Sequence, residues 1–190
     1  MPEVVFNEKL LSEIVGADVI RLQYANYSLP DYDKYIQELA TTGVELSEDP
    51  SQSNLSDLNM KIAQIDAQKT RASVVANMAT ANENELEMIM TQAQSLWDHE
   101  YNKLLISTEI RQLPNKELRE AAASVVLFYL KELLTNIKAS LSRAKTFSKI
   151  VSNNVSMLDS ANKNISRQIT VLQLQMGIGE IGRGPNPHTF

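Results

Sequence analysis

The side chains suited to chemistry are few. Lys131, Lys138, Arg143, Lys145 and Lys149 form a basic segment with Phe147 among them. Cations along a groove, with an aromatic ring for base stacking, hold single-stranded nucleic acid without reading its sequence. Glu83, Glu85 and Glu87 are a dense carboxylate group, but only Glu83 and Glu87 share a helix face, and no histidine pair accompanies them to complete a metal site. Asp98, His99 and Glu100 are consecutive, so on a helix their side chains diverge and His99 reads as a surface residue. Gly177, Gly179 and Gly182 spell G-x-G-x-x-G. That motif cradles a pyrophosphate only between a strand and a helix. Here a helical pattern precedes it and Gly184-Pro185-Asn186-Pro187 follows. With no cysteine, and with His99 and His188 far apart, neither a nucleophile–base pair nor a metal ligand set is assembled by spacing. The expectation is a protein without catalytic residues, metal or cofactor.

The elements that carry these residues follow from the helix breakers. All six glycines and five of the six prolines lie outside Ser51–Met176, where Pro114 alone interrupts. Glycine costs a helix interior about 1 kcal/mol and proline about 3 relative to alanine. Two long helices are therefore predicted, roughly 53–112 and 116–176. Pro114 stops the first, and Asn115 caps the second with Glu117 in its first turn.

The second helix repeats apolar residues at alternating steps of three and four. The series runs Leu127, Leu130, Leu134, Ile137, Leu141, Ala144, Ser148, Val151, Val155, Leu158, Asn162, Ile165, Ile169, Leu172 and Met176. Ser148 and Asn162 are its polar members. A buried Asn at such a position fixes register or oligomer number; the plainer reading is a local loosening of the seam. The first helix keeps the same rhythm with smaller residues, among them Ala72, Ala76 and Ala79. Folded back at residues 112–116, the pair sets Leu55 opposite Leu172, Leu58 opposite Ile169 and Ile62 opposite Ile165. The same pairing brings Lys131 toward Asp98 and Glu100, Lys138 toward Glu87, and Lys145 toward Glu83 and Glu85. On this reading the lysine stripe is neutralised from within the chain.

The ends differ in character. Residues 1–44 suggest two short helices, near Asn7–Val15 and Asp31–Thr41, and 45–54 an acidic linker. Residues 177–190 read as a flexible Gly/Pro-rich tail in which Phe190 is a candidate docking residue for a protein partner. Met1-Pro2-Glu3 does not open a secretory signal, and Ala121–Leu130, the longest near-apolar run, is about half a bilayer span.

Charge is uneven: residues 1–100 hold 17 acidic and 6 basic side chains, residues 101–190 6 acidic and 12 basic. Such asymmetry fits either a nucleic-acid surface or one half folding against the other. Ile65-Asp66-Ala67-Gln68-Lys69, with Tyr129-x-x-x-Leu133-Leu134 and then Leu141, Lys145 and Phe147, resembles the phage recombination mediators over about a quarter of the chain. The resemblance implies a helical oligomer that helps load a recombinase onto single-stranded DNA. Val74-Val75-Ala76 stands where that family's pattern has a basic pair.

The combined expectation is an all-α protein. Its centre is a long antiparallel two-helix coiled-coil hairpin over 55–176, with a small helical N-terminal region and a flexible tail. Helices about 90 Å long enclose little core, and Val125, Val126, Phe128, Leu133 and Phe147 lie outside the seam. Homo-oligomerisation, with partners engaged through the termini, is therefore the leading expectation. It describes a non-catalytic scaffold in a cytoplasmic or virion setting, with no membrane role. A single-stranded nucleic-acid mediator is the alternative.

Overall fold

The computed structural model describes residues 6–27, 31–41 and 54–181, and among them it is all helix and turn. A 3₁₀ turn at Leu11–Glu13 precedes α1 (Ala17–Asn26), α2 (Tyr32–Thr41), α3 (Leu55–Leu105), α4 (Thr108–Arg111), α5 (Lys116–Val126) and α6 (Phe128–Ile181). The long helices α3 and α6 pack together as a hairpin. The described residues fall into two compact units: one drawn from Met1–Pro30 and Ala79–Ser148, the other from Asp31–Met78 and Lys149–Phe190.

In the first unit the turn of the hairpin is more elaborate than one proline stop. The first long helix ends at Leu105, not near 112, and Ser107 is extended (φ −64°, ψ 150°) before the single turn of α4. That turn lets Ile110 bury with Ala122 and Ala123, against Leu104, Leu105 and Leu113. Asn115 caps α5 as its sequence suggests, its side-chain oxygen accepting from the Leu118 amide at 2.8 Å.

A continuous helix over 116–176 does not form, because Leu127 breaks it (φ −98°, ψ 22°). The cause is tertiary: the Lys9 amide donates to the Val126 carbonyl at 2.8 Å, taking an acceptor that a continuous helix would keep for itself. At the other end α6 runs to Ile181, so the predicted tail begins later than 177. Residues 182–190, including Phe190 and His188, and the linker up to Ser53 lie outside the described residues.

The helix expected near Asn7–Val15 is replaced by the 3₁₀ turn and by α1, which starts after Gly16. Gly16 has φ +92°, a conformation that costs glycine least, so here glycine opens a helix instead of closing one. The helix at Asp31–Thr41 forms as expected, with the Asp31 carboxylate accepting from the Lys34 amide at 3.0 Å.

The N-terminal segment meets part of the apolar flank outside the seam, at Val126 and Leu133, while Val125 and Phe128 stay 45% and 47% exposed. Val126, Leu133, Ser140 and Phe147 recur every seven residues on one flank, and each is less than a tenth exposed. The Lys9 amide meets Val126, while Ile14, Ala17 and Ile20 pack in one cluster with Leu127, Leu130 and Leu133. Further along, Tyr24 Oη lies 2.8 Å from Ser140 Oγ and donates to the Asn136 carbonyl at 3.2 Å. Chain order and contact order agree, so this segment runs parallel to α6 as a third strip of packing. Ile89, Ala93 and the stacked rings of Trp97 and Tyr101 complete the core from α3.

The second unit is simpler. Leu58, Ile65 and Ile165 bury together, flanked by Ile62, Leu158, Ala161, Ile169 and Leu172. The cluster contains both members of two of the pairs that folding back at Pro114 sets opposite, Leu58 with Ile169 and Ile62 with Ile165, and Leu172 of the third. Lys69 pairs with Asp159 and Asn162 with Asp66; one number rises as the other falls, so the helices are antiparallel.

Candidate functional site

The basic segment is the first surface to place. Lys131, Lys138 and Arg143 are exposed, and none forms an ion pair with another described residue. This corrects the expectation that acidic residues of α3 neutralise the whole stripe. Only Lys145 is engaged, with Glu87 and not with Glu83 or Glu85. A lysine reaches a full helical turn along its neighbour, and exposed ion pairs contribute too little to fix a register by themselves. The Glu87 carboxylate, by hydrogen bond and then by charge, holds the Lys145 ammonium above its ordinary pKa, with Glu83 adding a little. Asp98 accepts instead from Gln94 at 2.9 Å, and Glu100 pairs within its own helix with Lys103 at 3.6 Å.

Phe147 does not belong to this surface. It is 3% exposed, on the flank that also buries Leu133 and Ser140, so its ring has no face to offer a base. Ser148 next to it is half-buried, and Lys149, which falls to the second unit, is exposed.

Asn162 is half-buried and uses its side-chain NH2 on Asp66 across the hairpin of the second unit. The Ser166 hydroxyl donates to its carbonyl at 2.9 Å. Beside it the Lys69–Asp159 pair depresses the Asp159 carboxyl and raises Lys69, each chiefly through the hydrogen bond between them. Among the described residues no group of three or more His, Cys, Asp or Glu side chains converges on a point where a metal would sit. No described helix is long and apolar enough to cross a membrane.

One concavity deserves description within the first unit. A pocket of about 470 Å³ is lined by Phe6, Asn7, Lys9, Glu100, Lys103, Leu104, Ser107, Glu109, Ile110 and Val126. Glu100 is largely buried, with Lys103 at 3.6 Å and His99 at 3.9 Å from its carboxylate. His99 is not in the lining and its imidazole is 71% exposed, so the pocket that holds Ser107 has no imidazole in its lining.

Sequence reasoning passed over the outward faces, which are strongly apolar. In the second unit Met60, Val74 and Met78 of α3 are each more than half exposed. On α6, Ile150, Met157 and Val171 are 39%, 71% and 52% exposed, with Leu174 and Met176 beyond them. Ile150, Met157, Asn164 and Val171 follow at seven-residue intervals, a second repeat on the side of α6 away from its seam. In the first unit Val19 and Leu22 of α1, and Val15 before it, are also exposed. The signal was legible as a second heptad position, but the inner seam absorbs attention because its repeat is longer. Comparison with protein-family models, curated proteins and solved structures finds no match for this chain.

Proposed function

We propose that this chain is a non-catalytic assembly protein that self-associates through the outward faces of its helices. The observation that carries this reading is the outward apolar repeat of the second unit, where Met157 is 71% exposed in the single chain. Large apolar side chains scattered singly over a surface need no explanation, but a row at fixed helical spacing marks an interaction surface. Such rows associate as seams between helices. Sedimentation equilibrium across the micromolar range tests it. A mass that is a multiple of the 21.3 kDa chain is expected, and a monomer at every concentration overturns the reading.

A second reading is favoured by one observation, the unpaired Lys131, Lys138 and Arg143. On it, this stripe binds single-stranded nucleic acid by charge alone, since Phe147 is buried. Anisotropy of a labelled oligonucleotide at two salt concentrations separates the readings. Binding that weakens steeply with salt, and is lost in a Lys131→Glu/Lys138→Glu variant, supports the second. No binding at low salt removes it. Both lysines are exposed and unpaired, so the variant is expected to keep its stability to within about 0.5 kcal/mol per site.

A further inference from the structure

We infer that the pocket at the hairpin turn of the first unit is a binding site for a small organic cation, a guanidinium or primary ammonium carried on an apolar body. The inference is independent of self-association and stands on side chains that the assembly reading does not use.

Glu100 is the residue out of place. It continues the seven-residue series of Ala79, Leu86 and Ala93 along α3, whose members are 2% exposed or less, and is itself only 7% exposed. An apolar side chain is expected at such a position, because burying a carboxylate is costly unless hydrogen bonds meet it. No described residue supplies one. The nearest basic nitrogens, Lys103 Nζ at 3.6 Å and His99 Nε2 at 3.9 Å, are beyond hydrogen-bond reach, and both side chains are mostly in solvent.

Ser107 is the second unused group. It stands at the N-cap of α4, where a serine ordinarily accepts from an amide of the first turn, yet its hydroxyl caps nothing. Glu100 and Ser107 line the same pocket of about 470 Å³, with Phe6, Leu104, Ile110 and Val126 as its apolar wall. Small-molecule sites occupy about 300–1,000 Å³ and combine such walls with a few placed polar groups.

The sign of the ligand follows from the buried charge. A carboxylate only accepts, so its complement must donate. The pocket also lies against the C-terminal end of α3, which stops at Leu105, and that end of a helix favours positive charge. Lys9, Lys103 and Glu109 line it too, but each keeps more contact with water than Glu100, so the carboxylate dominates. A guanidinium or ammonium carries several N–H donors, enough to serve the carboxylate and the hydroxyl together, while the wall takes the apolar body.

The probe is phenylguanidine, with phenylurea as its uncharged isostere and benzoate as an anion, each titrated into the full chain with methyl-labelled Ile, Leu and Val. Phenylguanidine is expected to bind saturably and to shift the Leu104, Ile110 and Val126 methyl signals. Phenylurea and benzoate are expected to bind about tenfold more weakly or worse, the loss of one charge-assisted hydrogen bond. Glu100→Gln keeps the side-chain shape and is expected to weaken phenylguanidine by about the same factor. Ser107→Ala, which removes no cap, is expected to weaken it about threefold, and it carries the test if Glu100→Gln fails to fold by circular dichroism. Absence of saturable binding, equal binding of phenylurea, or binding untouched by the folded variants overturns the site. Tighter binding of acetyl-glycyl-arginyl-glycinamide than of phenylguanidine overturns the free ligand and assigns the pocket to a basic side chain of a partner.

Discussion

Phe147 separates a core role from a ligand-binding role, because the two predict opposite outcomes for one substitution. Its ring is 3% exposed, on the flank where Val126, Leu133 and Ser140 are also buried. A phenylalanine buries about 150–250 Å², and at about 25 cal/mol per Å² that corresponds to roughly 4–6 kcal/mol for the whole residue. Truncation to alanine keeps the Cβ but leaves a cavity, so Phe147→Ala is expected to cost about 3–5 kcal/mol. Phe147→Leu, which refills much of the space, is expected to cost less than half of that. The assay is urea unfolding followed at 222 nm, at one fixed protein concentration because association adds to apparent stability. With a slope of about 2 kcal/mol per molar, the alanine variant's midpoint falls by at least 1.5 M. Oligonucleotide anisotropy is measured on the leucine variant, which remains folded. A loss below about 1 kcal/mol for alanine, or abolished nucleic-acid binding by folded Phe147→Leu, would refute the burial argument and return the ring to a binding surface.

Two further outcomes follow from the same geometry. Tyr24→Phe removes the hydroxyl shared with Ser140 and the Asn136 carbonyl. It should cost about 0.5–1.5 kcal/mol and speed amide exchange in α1 more than in α3, with a Tyr24→Phe/Ser140→Ala double-mutant cycle showing the two changes are not additive. The Asp159 carboxyl is held low by Lys69, so its contribution is present above the ordinary carboxylate pKa and lost as pH falls through its lowered folded value. Between about pH 4 and pH 2 the melting temperature of Asp159→Asn should therefore fall less steeply than that of the unmodified chain. Equal slopes would show that the pair adds nothing.

What could be read from the sequence depended on whether the cause was local. The seam of α6 is legible because its cause is spacing, and Asn115 because a cap acts on the next three residues. In the second unit the opposed pairs meet as the repeat requires, since Leu58, Ile62, Ile165 and Ile169 share one cluster. The break at Leu127 was not legible, because it is made by an amide more than a hundred residues away at Lys9. The helix expected near Asn7–Val15 lies instead beyond Gly16, because glycine marks a helix boundary without saying which side the helix lies on. Phe147 reads from the sequence both as an apolar residue outside the seam and as a ring for base stacking, and its burial, at 3% exposed, favours the first. The partners of Lys138 and Lys145 failed because long flexible side chains do not report register to within a turn.

The two units, each taken by itself, treat their apolar residues outside the seam differently, and the proposed self-association rests on that difference. In the first, the flank of Val126, Leu133, Ser140 and Phe147 is buried, and α1 with the segment before it meets that flank at Val126, Leu133 and Ser140. On the same flank of the second unit the repeat continues as Asn154, Ala161, Gln168 and Gln175, which needs no such cover. The large apolar side chains there stand on the adjoining row of α6, three residues on from that flank, at Ile150, Met157 and Val171, and stay 39%, 71% and 52% exposed. Burying a side chain the size of Met or Ile is worth about 1.5–3 kcal/mol. Only the exposed part of each, 39%, 71% and 52%, is left to bury, so two copies meeting gain about 5–10 kcal/mol, comparable with what association costs. On the proposed self-association reading, such a balance gives a reversible assembly whose strength is set by a few residues.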